Sequence, residues 1–162
     1  QMQILAYNRV IKNLHGQSSA EFLAALESIF EIVKGGTGEC TRKNELGLYL
    51  DGQWRKLTFR SSHATGETPM DELDVALLQN HVLAPLLGIE DQRTSDRLDF
   101  IGGIRGTAEL ERLVDAGAGC AFSMFPTSIE DLMAIADSDG LMPPKSTWFE
   151  PKLRDGLFCH MI

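Results

Sequence analysis

The chain has 162 residues, a length that suits a single domain. Its composition, 43% hydrophobic and 23% charged residues, is that of an ordinary globular protein. The formal net charge of −8 argues against nucleic acid and anionic membranes as main partners, because binding to either requires a basic surface. No apolar run approaches the roughly 20 residues that span a bilayer, so we expect no membrane insertion.

The three cysteines, Cys40, Cys120 and Cys159, are widely spaced and odd in number. They form no Cys-x-x-Cys pair, so the sequence indicates neither a disulfide framework nor a cysteine zinc site. Together with the lack of a secretory signal pattern, this predicts a cytoplasmic protein. Gln1 opens directly on a strand-like run, so we expect residues 1–162 to be one domain, the C-terminal fragment of a longer protein.

The first forty residues predict a strand followed by a helix. Residues 4–14 are rich in β-branched and aromatic side chains, which favour a strand. Ser18 and Glu21 have the spacing of a capping box, and the apolar periodicity after them predicts a helix that reaches Val33. The glycine pair at 35–36 would end this helix.

Asp51-Gly52 separates two runs of alternating residues and is the strongest short-range hairpin signal in the sequence. It predicts a hairpin that joins 45–50 to 53–60. Further on, a Thr-Pro pair at 68–69 offers an N-cap and a proline at the first helical position, which predicts the start of a helix. Pro85 should kink that helix or end it early.

Strands and helices alternate in the last third of the chain. The predicted elements are strands at 98–101, 119–125 and 156–162, and helices at 107–115 and 127–137. A capping box from Thr127 to Glu130 marks the start of the second helix. Strand–helix–strand connections imply crossovers and some parallel pairing, whereas the hairpin adds antiparallel pairing. The predicted class is therefore α+β, with a mixed sheet.

A glycine loop at 102–106 (GGIRG) lies between a predicted strand and a predicted helix. Backbone N–H groups at Gly102, Gly103 and Gly106 could approach a phosphate, and the helix dipole would favour the anion. Arg105 could add a bidentate contact to phosphate or carboxylate. The pattern is neither the G-x-G-x-x-G nor the Walker A motif. The alternative is that the glycines only make a tight turn.

The segment 143–151 concentrates functional side chains on a loop that three prolines stiffen. Its candidate ligand-binding residues are Ser146, Thr147 and Trp148. Lys145 is a candidate catalytic residue that could hold an anion, and Glu150 is a candidate general base or metal ligand. The alternative is structural: Trp148 and Phe149 would fill an edge of the core, while Lys145 and Glu150 would be solvated.

We expect the loops at 102–106 and 143–151 to face one pocket, because ligands in α/β arrangements bind where loops gather beyond the strand ends. Arg105, Lys145 and Arg154 would then hold an anion within an otherwise acidic protein. The four histidines show no metal-ligand spacing, so the sequence predicts no site in which protein ligands alone hold a metal.

Several runs resemble the domain of unknown function 1015 family. RLDFIGGIRG at 97–106, AFSMFPTSIEDLMAIAD at 121–137 and MPPKSTWFEPKLRDGLF at 142–158 are similar to its C-terminal half. LDVALLQNHVLAPLLGIED at 73–91 and LGLYLDGQWRKL at 46–57 are similar to the part before it. The resemblance implies a longer protein whose N-terminal half is missing here, and a remote likeness to the ParB-like group that includes free-serine kinases. It also implies a histidine in many relatives where this chain has Asn8.

These residues favour a metabolic protein with a pocket for an anionic small molecule, one that transfers or removes phosphate, because phosphoryl transfer depends mainly on positioning and charge neutralisation. The cofactors would be Mg²⁺ and a nucleotide. The resemblance adds an amino acid such as serine as the substrate. The alternative is a non-catalytic ligand-binding or interaction module that completes a site with the missing N-terminal half. The sequence leaves the oligomeric state open.

Overall fold

A computed structural model of the chain describes residues 2–151. The strands are β1 Gln3–Leu5, β2 Tyr7–Ile11, β3 Phe30–Lys34, β4 Glu45–Leu50, β5 Gln53–Phe59, β6 Leu98–Gly102, β7 Cys120–Met124 and β8 Trp148–Glu150. The helices are α1 Ser19–Glu27, α2 Asp74–Leu78, α3 Ala84–Leu87, α4 Gly106–Asp115 and α5 Ile129–Asp137. A π-helical turn, Gln79–Leu83, joins α2 to α3, and short 3₁₀ turns occupy Ser61–His63 and Gly103–Arg105.

Six of these strands form one sheet in the order β3-β5-β4-β7-β2-β6, and β1 pairs with β8 in a small second sheet. Neighbouring strands in the described sheets are antiparallel. Since β6 and β7 both pair with β2, they run in the same direction on either side of it, and α4 makes the crossover. The expected parallel orientation is thus present, but between strands that are not hydrogen-bonded to each other. The α+β class is confirmed.

The two faces of the large sheet bury separate apolar clusters. On β2, Val10 belongs to the cluster beneath α4, whereas the next residue, Ile11, belongs to the main core. On β7, Ala121 and Phe122 divide in the same way, as successive residues of a strand must. The main core packs against α1, α2, α3 and α5, and the smaller cluster packs against α4.

The predicted first helix begins where expected but ends early. Ser18 and Glu21 form the capping box, with the Glu21 N–H donating to Ser18 Oγ at 3.1 Å. The prediction that this helix reaches Val33 is wrong, because residues from Phe30 onward form β3 and pair with β5. Phe30 packs on Phe59 with ring centroids 4.4 Å apart, so contacts across the sheet override the helical periodicity.

The first strand is also divided where the sequence predicts one element over 4–14. Ala6 separates β1 from β2, and its carbonyl accepts a hydrogen bond from the Gly103 N–H at 2.7 Å. This bond joins the break in the strand to the glycine loop. Residues 12–14 lie beyond the end of β2.

The hairpin prediction is confirmed. Asp51 and Gly52 have φ values of 51° and 71°, and positive values at both central residues define a type I′ turn. The flanking residues Leu50 and Gln53 are directly paired.

The helix predicted to start at the Thr-Pro pair begins later than expected. Thr68 caps only a single turn, with its hydroxyl bonded to Asp71 at 2.7 Å, and the helix itself begins at Asp74. The π turn comes immediately before α3, where Pro85 cannot donate a helical hydrogen bond.

The capping box of α5 consists of Ser128 and Asp131, one residue later than predicted. The reason is that the Thr127 hydroxyl donates to the Ser146 carbonyl instead, at 3.3 Å. The predicted strand at 156–162 lies outside the described residues.

Candidate functional site

The glycine loop makes a tight connection between β6 and α4. Gly106 has φ of 69°, a left-handed conformation that glycine adopts without strain. At Gly103, an added Cβ would lie 2.8 Å from the Ala6 carbonyl oxygen, so a side chain does not fit there. Both glycines are therefore needed to make the turn, whatever else the loop does.

This loop opens onto a cleft of about 260 Å³, which we call the glycine cleft. The residues that line it are Leu5, Ala6, Asn8, Gly38, Glu39, Cys40, Gly103, Gly106, Thr107, Ser123, Met124 and Pro126. The cleft lies on the α4 face of the sheet, because Asn8 is two residues before Val10 on β2. None of the described lining residues is lysine or arginine, so the cleft presents neutral donors and one carboxylate, Glu39.

The N-terminus of α4 supplies donors to the cleft. The first N–H groups of a helix have no partners within the helix, and the N-cap residue, Arg105, makes no side-chain capping bond. The Gly106 N–H donates to the Gly103 carbonyl, whereas the next residue, Thr107, lines the cleft. The positive end of the dipole of this ten-residue helix favours a negative group at the same place.

Asn8 adds a directed donor. The residue is 5% exposed, and its Oδ1 accepts a hydrogen bond from the Met124 N–H at 3.0 Å. This contact fixes the orientation of the amide, so the NH₂ group is the end that remains to donate. Within residues 2–151 no acceptor is bonded to it, and Asn8 lines the cleft.

Two further side chains that line the cleft, Ser123 and Cys40, donate hydrogen bonds to backbone carbonyls. The Ser123 hydroxyl donates to the Gly38 carbonyl, and the Cys40 Sγ lies 3.5 Å from the Ser123 carbonyl, to which it donates. Burial raises the pKa of the Cys40 thiol to about 11, so at neutral pH it is a neutral thiol and a poor nucleophile. Glu39 is exposed at the rim.

The segment 143–150 uses its polar groups internally. The Ser146 hydroxyl is buried and donates to the Pro143 carbonyl at 2.5 Å. Lys145 has φ of 56°, its carbonyl accepts from the buried Arg9 at 3.1 Å, and its exposed ammonium lies 5.5 Å from the centre of the Tyr7 ring. Thr147 is half-buried.

Trp148 and Glu150 belong to β8, which pairs with β1. The Trp148 indole N–H donates to Glu150 Oε2 at 2.9 Å, and its ring contacts Tyr7 with centroids 5.2 Å apart. The ring also covers Gly102 so closely that an added Cβ there would lie 2.5 Å from it. This arrangement resembles the structural alternative, in which the tryptophan fills an edge of the core.

The two loops therefore touch, through Trp148 and Gly102, but their described residues border two different cavities. Gly103 and Gly106 line the glycine cleft, whereas Pro143 and Pro144 line a different cavity of about 410 Å³. Arg105 is 65% exposed at its side chain and lies 3.7 Å from Glu109 on its own helix. Arg154 lies outside the described residues.

Sequence reasoning did not select Glu39, Thr107 or Ser123. A signal for Glu39 exists in the run GGTGEC at 35–40, where three glycines have positive φ and mark an irregular loop between strands. Thr107 and Ser123 carry no such signal, because an isolated hydroxyl at the end of a strand or the start of a helix is common.

Comparison with known proteins confirms the resemblance found in the sequence. The family model described as "Protein of unknown function (DUF1015)" matches residues 1–76. No curated protein matches the chain. None of the described helices is long and apolar enough to cross a membrane, and nowhere between residues 2 and 151 do three or more His, Cys, Asp or Glu side chains group as a metal site.

Solved structures share the fold. A mutant free serine kinase in complex with AMP superposes with a TM-score of 0.53 at 13% identity, covering 91% of this chain and 54% of that one. A mutant of the kinase in complex with ADP gives 0.52 at 13% identity with the same coverage. A conserved hypothetical protein from Pyrococcus furiosus gives 0.53 at 12% identity, covering 91% and 56%. Identities this low establish the fold alone, and the chain spans about half the length of these structures.

Proposed function

We propose that the glycine cleft binds the phosphate group of a small anionic molecule, and that the complete protein transfers or removes phosphate on an amino acid such as serine, with a nucleotide as co-substrate. The observation that carries the proposal is the uncapped N-terminus of α4, opening with Gly106 and Thr107 into a cleft of about 260 Å³. Phosphate binding at helix N-termini combines unpaired N–H donors with the helix dipole.

The polar lining supports a negatively charged group such as phosphate over an apolar ligand. Thr107 offers a hydroxyl, Asn8 offers an NH₂ group held in place by Met124, and Cys40 stays protonated beside them. A volume of about 260 Å³ is below the roughly 300–1,000 Å³ typical of sites that enclose a whole drug-sized ligand. It suits the phosphate end of a nucleotide or a small phosphorylated metabolite.

Glu39 is the carboxylate at the rim of this cleft, and we assign it the acid–base or Mg²⁺-holding role. Lys145 and Glu150, the catalytic candidates of the sequence, do not line the cleft, and Glu150 accepts the Trp148 N–H. Mg²⁺ in phosphate sites is commonly held by one or two carboxylates and the phosphates themselves, so a single glutamate fits that ion. The fold shared with free serine kinase structures that hold AMP or ADP is consistent with a nucleotide ligand.

A second candidate function is a non-catalytic binding module whose site is completed by another part of the protein. The observation that favours it is that Glu39 is the one carboxylate among the described lining residues and is exposed. The two candidates differ in turnover: a kinase consumes ATP or ADP when serine is added, whereas a binding module retains the nucleotide unchanged.

The experiment that tests the cleft is the substitution Asn8→Asp. Aspartate keeps the acceptor for the Met124 N–H and replaces the NH₂ donor by a negative oxygen. We expect at least about a tenfold loss of affinity for pyrophosphate and ADP in calorimetric titrations, since losing a hydrogen bond to a charged group costs about 1.5–3 kcal/mol.

Asn13→Asp is the matched control. It adds the same charge at an exposed position that does not line the cleft, and it keeps the acceptor that Asn13 Oδ1 presents to Arg97. Equal losses of affinity in the two variants would show a general charge effect and would sink the proposed site. Unchanged affinity in Asn8→Asp would do the same.

A further inference from the structure

A second cavity, of about 410 Å³, lies on the other face of the sheet. We call it the π-turn cavity, because Gln79 and Asn80 of the π turn border it together with residues 90–93 and the two prolines at 143 and 144. The alternation of residues along β2 shows where this cavity lies relative to the glycine cleft. Asn8 lines the cleft, and the next residue, Arg9, contacts the wall of the π-turn cavity, so the two sites lie on opposite faces.

A buried cation, Arg9, lies behind Gln92 in the wall of this cavity. Arg9 is fully buried, lies 5.1 Å from the centre of the Phe100 ring, and has no carboxylate partner among the described residues. Its guanidinium donates to the carbonyls of Tyr7 and Lys145 and to Gln92 Oε1, the last at 3.3 Å. Burial lowers the pKa of Arg9 to about 9, so it remains a cation at neutral pH.

Gln92 lies between the Arg9 guanidinium and the cavity. The side chain is only 8% exposed and lines the cavity. Because Arg9 can only donate, the bond to it fixes Oε1 toward the arginine and leaves the NH₂ group as the other end. No described residue accepts a hydrogen bond from that NH₂ group. A donor polarised by a buried cation binds a carboxylate or another negative oxygen well.

The rim of the cavity has the opposite charge. Asp71, Glu90 and Asp91 border it. Arg93 borders it too but is paired with Asp91 at 2.8 Å, whereas the exposed Glu90 has no partner for its carboxylate in the described chain. Such a rim repels a simple anion and attracts an ammonium group. Gln79 also borders the cavity, and its buried Oε1 lacks a hydrogen-bond partner in residues 2–151. Because that oxygen is shielded from solvent, we do not assign it a contact with a ligand in the cavity.

We propose that the π-turn cavity binds a small zwitterion such as an α-amino acid, with its carboxylate on Gln92 and its ammonium group toward Glu90. A volume of about 410 Å³ is sufficient for a molecule of this size. The site is separate from the glycine cleft, and its ligand does not meet a phosphate bound there. The inference does not rest on the proposed phosphate site.

The test uses three probes of similar size on the protein: L-alanine, propionate and ethylamine, followed by the other L-α-amino acids. We expect one or more amino acids to shift the side-chain NH₂ resonance of Gln92 in an NMR titration, with affinity at least tenfold above that of the matching carboxylate or amine. Equal binding of propionate and alanine would reduce the site to an anion site and overturn the proposal, and so would the failure of every amino acid to bind.

Gln92→Glu is the decisive variant. Glutamate keeps the acceptor for Arg9 and adds a counter-charge, so the fold should be retained, but the donor toward the cavity is lost. Amino-acid binding should fall at least tenfold, while pyrophosphate binding at the glycine cleft is unchanged. Gln53→Glu, at an exposed residue that does not border the cavity, is the matched control and should bind as the wild type does. Retained amino-acid binding in Gln92→Glu overturns the assignment.

Discussion

The loop at 102–106 and the segment at 143–150 are both rich in residues that bind ligands, yet the structure treats them differently. In the segment, these groups already have partners within the protein: Ser146 is bonded to Pro143, Trp148 to Glu150, and the Lys145 carbonyl to Arg9 of β2. In the loop, the Gly103 N–H is bonded to Ala6, but the start of α4 has no side-chain cap and opens onto a cleft. The contrast supports the proposed glycine cleft over the segment, because hydrogen-bonding groups that the fold leaves unpaired are available to a ligand.

The largest expected effect concerns Trp148. If this residue is structural, Trp148→Ala should lower the free energy of unfolding by about 2–3 kcal/mol, somewhat less than for a fully buried tryptophan, because the ring is half-buried. Denaturant unfolding measures this. The affinity for pyrophosphate should stay within about threefold, or roughly 0.6 kcal/mol, since Trp148 does not line the cleft.

Leu141→Ala is the control, because this side chain is 84% exposed and should contribute little. If Trp148→Ala left stability intact and removed ligand binding, the tryptophan would be a ligand contact after all, and the contrast between the two regions would be reversed.

The second prediction tests the chemistry of the cleft through its thiol. Because burial raises the pKa of Cys40 from 9.0 to about 11, the thiolate fraction at pH 8 is about 100-fold below that of an unperturbed cysteine. Alkylation of Cys40 at pH 8, followed by peptide mass spectrometry, should be slower by at least that factor in the native protein than in denaturant. The native rate should rise about tenfold per pH unit until the pH nears 11.

Cys120 provides an internal comparison, because it is fully buried and burial raises its pKa as well. It should react more slowly than Cys40, which is only partly buried. Rapid native alkylation of Cys40 at pH 8 would mean that the cleft holds a reactive thiolate, which would favour covalent chemistry over phosphate binding.

The smallest expected effects are those of Arg105→Ala and Lys145→Ala. The sequence predicts that each removes anion binding. The structure places the first beside Glu109 and the second above Tyr7, both exposed. We therefore expect pyrophosphate affinity to change by less than about threefold and the melting temperature to stay nearly constant, because surface substitutions rarely alter stability much. A tenfold loss of pyrophosphate affinity in either variant would mean that the anion binds at Arg105 and Lys145, as the sequence predicts.

Elements that depend on local chemistry can be predicted from local sequence signals. The Asp51-Gly52 hairpin, the capping box at Ser18 and the glycine turn before α4 all depend on a few adjacent residues, and all three are present. The end of α1 and the start of α5 depend on distant partners. Phe30 is a strand residue because Phe59 lies across from it, and Thr127 is not a cap because Ser146 takes its hydroxyl.

The candidate site likewise contains residues that local sequence signals predict and residues whose role depends on distant contacts. The glycines at 103 and 106 are visible in the sequence because a tight turn needs them. The contribution of Asn8 is not visible, since its NH₂ group becomes a directed donor only when Met124, 116 residues away, fixes the amide. The buried cation behind the π-turn cavity is equally invisible, because it depends on Arg9 being buried against Gln92 without a carboxylate partner in the described chain.

The most direct test of the account is an NMR titration of the ¹⁵N-labelled protein with pyrophosphate, read residue by residue. The account predicts saturable shifts of the backbone amides of Gly106 and Thr107 and of the Asn8 side-chain NH₂ group, with resonances of 143–150 nearly unmoved. Shifts centred on Lys145, Ser146 and Trp148, with the start of α4 unaffected, would contradict it and place the anion on the proline-rich segment.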